Sequence, residues 1–264
     1  MFDAHLLTGS GPRVCVLKAD GTNCEDETAH AFALVGARPA VVPMNGLRAG
    51  DERLAAYDLL AIPGGFSYGD DVGAGTVMAV ELMSFLADEL GEFARAGKPI
   101  LGVCNGFQVL VRTGLLPFGA LGTISAALAQ NAVGRYECRW VALIPDAATV
   151  SPVVRALPER MSLPLAHGEG RFIAPEATLD RIEAEGLVAL RYADAEGHPT
   201  GAYPANPNGA ARAIAGVTDP SGRVIGLMPH PERFVARHQH PSWRTREHDE
   251  PDGLTFFRRL VDLA

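Results

Sequence analysis

A cysteine with a glycine two residues away on each side is the sharpest chemical signal in this chain. The segment Gly102-Val103-Cys104-Asn105-Gly106 is entered from the apolar run Pro99-Ile100-Leu101 and left through Phe107-Gln108-Val109-Leu110-Val111. A G-x-nucleophile-x-G sequence between a strand and a helix forms a tight elbow that exposes its central side chain, and the glycines let strand and helix pass closely. The sulfur then lies at a helix N-terminus, which favours the thiolate, and the Asn105 amide points toward a developing oxyanion. Most free cysteines are small buried hydrophobes. That reading is kept for Cys15, in an apolar strand, and for Cys138, in an alternating one, while the flanking glycines make Cys104 the nucleophile. Cys24 follows a turn that also resembles a strand end and stays open between the two readings.

A thiolate attacking a carboxamide needs a base to hold a proton and return it to the leaving group, and that base needs an orienting acceptor. Pro229-His230-Pro231-Glu232-Arg233, directly after Val224-Ile225-Gly226-Leu227-Met228, offers both. His-x-Glu alone is weak and equally suits a surface histidine; with the elbow it completes a triad of Cys104, His230 and Glu232. A third segment, Ile62-Pro63-Gly64-Gly65-Phe66-Ser67-Tyr68-Gly69-Asp70, places paired glycines at a strand end. Read alone it is a turn; on the same sheet edge as Cys104, the amide of Gly65 or Phe66 would be a second oxyanion donor.

Those residues need a sheet whose strand ends converge. Val14–Leu17, Ala40–Val42, Leu59–Ile62 and Pro99–Val103 read as short buried strands. Between the first two, a helix begins at the acidic Glu25-Asp26-Glu27 and closes at Gly36. Met78, Leu82, Phe85 and Leu86, continued by Phe93, predict one helix with a single apolar face and Gly97 after it. Strands alternating with helices imply a mostly parallel sheet covered on both faces. The second half carries strand-like segments at 136–143, 187–192, 211–217 and 224–228, which predict a smaller antiparallel element. Asp219-Pro220-Ser221-Gly222 closes a hairpin there, Trp243–Pro251 is a polar excursion, and Leu254–Leu263 a last helix. The reading is one α/β domain over residues 13–264, preceded by an extension at 1–12.

Composition narrows the classes of function. The 264 residues are 47% hydrophobic and 20% charged, with a formal net charge of −8, a sign that opposes nucleic acid and anionic membranes. No apolar run approaches the ~18 residues of a membrane span, and the N-terminus lacks the pattern of a secretory signal. A cytoplasmic protein with reduced thiols is expected.

Taken together, the segments resemble the class I, or triad, glutamine amidotransferases, and within them the glutaminases of phosphoribosylformylglycinamidine synthase. The resemblance runs through Gly21-Thr22-Asn23-Cys24, Gly64–Asp70, Gly102–Gln108, Ala166-His167-Gly168-Glu169-Gly170-Arg171, Asn206-Pro207-Asn208-Gly209 and Met228–Arg233. It implies Cys104 as nucleophile, His230 as acid–base and Glu232 as its orienter, with oxyanion amides from Gly65 and Asn105. It also implies that Gln108 and the backbone at His167 and Gly168 help to hold L-glutamine, with Phe66 beside them; His167 and Glu169 read as pocket wall or partner contact. The implied reaction transfers the glutamine amide nitrogen to formylglycinamide ribonucleotide. This chain has no room for the synthetase, so ATP and magnesium are expected on a large partner subunit, joined by a small bridging one, with no cofactor or metal on this chain. Two departures from the small-subunit pattern bear on the partner arrangement. Asp71-Val72-Gly73-Ala74-Gly75 stands in place of Tyr-Leu-Arg-Ala-Gly and is nearer the glutaminase domain of the large fused enzyme. The Phe118–Ala129 segment and the tail after Arg233 are longer than in a compact small subunit. A cysteine peptidase using the same elbow, or a scaffolding subunit on an inactive fold, would explain the triad segments less completely.

Overall fold

The computed structural model describes residues 10–70, 72–245 and 250–264. Strands and helices alternate through its first half: β1 (Arg13–Lys18), α1 (Glu25–Leu34), β2 (Arg38–Pro43), α2 (Met44–Ala49), β3 (Leu59–Ile62), α3 (Thr76–Phe85), α4 (Ala87–Arg95), β4 (Ile100–Val103) and α5 (Asn105–Arg112). The second half is richer in strands: β5 (Ala127–Ala129), β6 (Glu137–Pro145), α6 (Pro152–Arg155), β7 (Met161–His167), β8 (Arg171–Ile173), α7 (Glu176–Ala184), β9 (Val188–Ala193), β10 (Ile214–Thr218), β11 (Val224–Leu227) and α8 (Asp252–Val261).

Nine strands form one sheet in the order β2-β1-β3-β4-β11-β10-β9-β6-β7. Pairings from β2 to β11 are parallel; those from β11 to β7 are antiparallel. The expected class I amidotransferase-like α/β fold is therefore the one adopted, with the antiparallel strands joined edge to edge to the parallel ones. Strands β5 and β8 pair separately. The inner strands β3, β4 and β11 are buried at every residue, as strands covered on both faces must be. Each wholly buried leucine or isoleucine there, such as Leu60 or Ile62, contributes about 1.5–3 kcal/mol by leaving water. Helix α1 packs on α8 through an edge-on contact of Phe32 with Phe257, centroids 4.8 Å apart, while α5 packs on α3 and on β3, β4 and β11. The β1-to-β2 and β3-to-β4 connections run in opposite directions along the sheet, so right-handed crossovers put their helices on opposite faces.

Three local expectations differ from what the chain does. The helix predicted from Met78 to Phe93 breaks at Leu86, where φ and ψ are −130° and 12°. The break turns Phe85 outward, 52% exposed beneath the Arg48 guanidinium, while Leu86, Leu90 and Phe93 stay buried. The strand predicted from 211 starts only at Ile214, because Arg212 and Ala213 take positive φ in a turn that delivers Arg212 to Glu176, Asp180 and Glu183 of α7. Cys138 is exposed rather than buried: the two-residue period of β6 points Glu137 inward instead, where Arg135 and Arg139 neutralise it. Residues 1–9 of the N-terminal extension and 246–249 of the polar excursion lie outside the described residues. No helix among the described residues is long and apolar enough to cross a membrane.

Candidate active site

Register brings the reactive segments together. Ile62 pairs with Gly102, and Val103 with Leu227, so the residues just beyond β3, β4 and β11 emerge side by side at one sheet edge. These are Gly64-Gly65, Cys104 and His230. The loop after β1 joins them through an antiparallel bridge between Thr22 and Gly65. Strand order reverses between β1 and β3, the place where open α/β sheets bind ligands. A cavity of about 460 Å³ opens there, and Cys104, His230, Gly65, Phe66, Gln108, His167 and Gly168 all line it.

Cys104 holds φ 51° and ψ −102°, a left-handed conformation that costs on the order of 1–3 kcal/mol in a non-glycine residue. Its neighbours enforce it. The Cys104 amide donates to the Leu227 carbonyl at 2.8 Å, and its carbonyl accepts from the Gln108 amide at 3.1 Å. A Cβ at Gly106 would lie 1.8 Å from the Ile62 carbonyl oxygen, and one at Gly102 would lie 2.7 Å from that of Gly106. Only glycine lets the elbow close. The thiol is 6% exposed, faces the cavity and lies 3.8 Å from the Ala166 carbonyl oxygen.

His230 is buried at 2% exposure, its amide donating to the Pro164 carbonyl at 2.7 Å. Nδ1 contacts Glu232 Oε1 at 2.5 Å, across a short 3₁₀ turn over Pro231–Arg233. Burial pushes the imidazole pKa down, but the Glu232 carboxylate and the thiols of Cys104 and Cys24 outweigh it and hold it well above the ordinary histidine value. Nε2 makes no hydrogen bond of ordinary geometry. The triad residues of the sequence reading are thus neighbours.

Of the two candidate oxyanion amides in the glycine loop, that of Phe66 is already used, donating to the Gly21 carbonyl at 3.0 Å. That excludes Phe66 as the second donor; its half-exposed ring lines the cavity instead. No acceptor among the described residues takes the Gly65 amide. The Asn105 amide opens α5, where helix geometry leaves the first N–H groups without internal partners. The Asn105 side chain has a role the sequence did not reveal. It accepts from Ser67 Oγ at 2.6 Å and donates to Asp70 Oδ1 at 3.2 Å and Gln108 Oε1 at 3.1 Å, tying the glycine loop to the elbow. Gln108 Nε2 in turn donates to the Glu169 carbonyl at 2.5 Å.

His167 forms part of the cavity wall, its ring held by Asn131. Burial, with the nearby His230 charge, lowers its pKa to about 4, so it is neutral near pH 7. Asn131 Oδ1, 3.1 Å from Nδ1, also accepts the Gly170 amide and is therefore the acceptor, which leaves the proton on Nδ1. Asn208 of the Asn-Pro-Asn-Gly motif backs this wall, donating to the Gly170 carbonyl at 2.8 Å. The Gly168 carbonyl accepts from the Asn131 amide at 2.9 Å.

Among the further residues that line the cavity are Cys24, Asp70, Glu169 and Arg233. Each belongs to a segment already singled out in the sequence, but spacing alone gave no sign that they converge. Burial raises the Cys24 thiol pKa against the opposing effect of His230. Cys24, His230 and Glu232 offer donor atoms within 4.8 Å of one another, a spacing a metal could use. The Arg233 guanidinium, 3.2 Å from Cys24 Sγ, opposes a cation there, and Glu232 already engages His230.

Comparison with known proteins places the chain in a family. Residues 11–263 match the family described as the CobB/CobQ-like glutamine amidotransferase domain. The chain is 40% identical over 253 residues to phosphoribosylformylglycinamidine synthase subunit PurQ of Dehalococcoides mccartyi, covering 96% of this chain and 97% of that protein. It is 44% identical over 239 residues to the PurQ subunit of Methanococcus maripaludis, covering 89% and 87%. Among solved structures, PurLQS from Thermotoga maritima contains a chain that superposes with a TM-score of 0.72 at 34% identity, covering 96% of this chain and 98% of that one. The chain therefore belongs to the PurQ family, the glutaminase subunits of phosphoribosylformylglycinamidine synthase, and carries their glutamine amidotransferase domain.

Proposed function

We propose that this chain hydrolyses L-glutamine to glutamate and ammonia through Cys104, His230 and Glu232, by way of a γ-glutamyl thioester. The observation that carries the reading is the strained, cavity-facing Cys104 beside a His230 whose other nitrogen is held by buried Glu232. With its pKa raised, His230 holds a proton near neutral pH and pairs with the Cys104 thiolate. The sulfur attacks the carboxamide carbon, a C–S bond forms, and the carbonyl electrons move to oxygen. The amides of Gly65 and Asn105 stabilise that oxyanion, each such donor being worth ~10²–10³ in rate. As the tetrahedral species collapses the C–N bond breaks, and the His230 proton goes to nitrogen to give ammonia. Water then adds to the thioester, passing a proton to His230, and the C–S bond breaks to release glutamate. Glu232 fixes the ring tautomer and stabilises the imidazolium throughout. Gln108, Phe66, His167 and Gly168 form the walls that orient glutamine.

The ammonia serves a large synthetase subunit that uses ATP and magnesium to convert formylglycinamide ribonucleotide to formylglycinamidine ribonucleotide in the cytoplasm, with a small bridging subunit. The subunit composition in the name of the Thermotoga structure supports this assembly. In the reconstituted complex, Cys104→Ala abolishes glutamine-dependent synthesis and leaves ammonia-dependent synthesis intact. Glutamine-dependent turnover by Cys104→Ala would refute the assignment.

A further inference from the structure

The small sheet of β5 and β8 carries the wrong residues on its outer face for a surface that meets only water. Cross-strand register pairs Ala127 with Ile173, Leu128 with Phe172 and Ala129 with Arg171. Leu128 and Phe172 point inward and are buried, Phe172 stacking on Phe107 of α5 at 6.2 Å. Ala127, Ala129, Arg171 and Ile173 therefore share the opposite face. An antiparallel sheet with one solvated face turns its polar residues outward, yet three of these four are apolar. Ile173 is 37% exposed, and on the chain either side of β5, Ile124 and Val133 are 62% and 37% exposed.

Arg171, the one charged residue of the four, is unanswered. Its Nε is buried, and no hydrogen bond or ion pair among the described residues reaches the guanidinium. A charged donor held out of water without a partner is costly. The sequence supplies no local acid: residues 93–136 contain neither Asp nor Glu, although the chain has 31 of them. The acids that flank both segments are engaged elsewhere, Glu137 by Arg135 and Arg139, Glu169 by the Ala74 amide and Glu176 by Arg212. A carboxylate that completes Arg171 comes from another molecule. A second copy of this chain does not provide it, because a two-fold contact sets the patch against itself, cation against cation. A free small anion would leave the apolar rim uncovered.

We infer that this face, residues 124–133 with Arg171 and Ile173, docks the synthetase subunit through a surface carboxylate set among apolar side chains. The choice of occupant rests on the ammonia supply proposed above. Asn131, within the same segment, holds the cavity wall: its amide donates to the Gly168 carbonyl, and its Oδ1 accepts the Gly170 amide. A subunit seated here stands behind the wall of the cavity in which ammonia is released.

The experiment measures binding of the full chain to the synthetase subunit by titration calorimetry, with and without the bridging subunit. Arg171→Glu should weaken binding by about 30-fold, as for one desolvated charge pair, and Ile124→Asp by about tenfold. Leu34→Asp, at an exposed site on α1, should stay within about twofold. Thermal melts check that each variant folds. Hydrogen–deuterium exchange of wild type needs no variant: the synthetase should slow exchange by at least about tenfold in peptides covering 124–133 and 171–173. Binding by Arg171→Glu and Ile124→Asp within about twofold of wild type, or protection confined to other segments, would overturn the inference. Protection of these peptides by the bridging subunit alone would overturn the choice of occupant. Glutamate release is read in the same samples. If the variants lose binding while wild type releases no glutamate, the docking face stands and it is the hydrolysis reading that fails.

Discussion

Replacing Glu232 by glutamine keeps the volume and removes one negative charge from beneath His230. Both side chains are buried, and the Nδ1 to Oε1 separation is 2.5 Å. With charge centres about 4 Å apart and an effective dielectric near 20, the pair is worth about 4 kcal/mol. At 1.36 kcal/mol per tenfold, full expression of that loss in the transition state lowers kcat/KM by about three powers of ten. The pH profile adds a sign. Glu232 is the largest of the influences that raise the His230 pKa, so its removal leaves burial to lower it. The alkaline limb of glutaminase activity, where the imidazolium loses its proton, should therefore move to lower pH. Stability follows the same linkage: the raised histidine stabilises the fold fully below its unfolded pKa of ~6.5 and ceases to do so as pH rises through its folded value, so the variant should be weakest on the acid side. The assay is glutamate release against pH for wild type and Glu232→Gln in the synthetase complex. A limb that stays in place, with less than a tenfold loss of rate, would refute the reasoning.

Other outcomes follow from single distances. Gly106→Ala forces a Cβ to within 1.8 Å of the Ile62 carbonyl, so thermal melts should show loss of more than about 3 kcal/mol or no folded protein, whereas Gly46→Ala, in open space on α2, should gain about 0.5–1 kcal/mol. His167 has its pKa lowered to about 4, so between pH ~6.5 and ~4 the unfolded chain binds a proton that the folded chain refuses. At 1.36 kcal/mol per unit, wild type should lose about 3 kcal/mol there from this residue, and denaturant titrations of His167→Gln should lack that component. Asn105→Ala removes the link from Ser67 and Asp70 to the elbow, and should cost about 1–3 kcal/mol in stability and at least about tenfold in kcat.

The elbow was legible because its signature is local: a nucleophile on a tight strand-to-helix turn requires Gly102 and Gly106 at fixed spacing, although Ile62 supplies the close contact that makes Gly106 necessary and Leu227 holds the Cys104 amide. His230 and Glu232 were legible for the same reason, two residues apart around a proline-stiffened corner. Pro164 shows where local reading stops. Within β7 it looks like a strand breaker, yet β7 is the sheet's edge and needs no amide there, and the Pro164 carbonyl instead receives the His230 amide. The break at Leu86 carries no glycine or proline to announce it, so Phe85 was assigned to the wrong face. Asp70 and Glu169 are 99 positions apart and meet only because Ala74 and Gly75 supply adjacent amides. Residues brought together by long-range folding leave no periodic trace in the sequence.

The most direct test of the account is acid quenching of the complex during glutamine turnover, followed by mass spectrometry of the cysteine peptides. A γ-glutamyl group on the Cys104 peptide, absent when glutamine is withheld, is the predicted result. The same adduct on the Cys24 peptide, or turnover with no adduct on either, would contradict it.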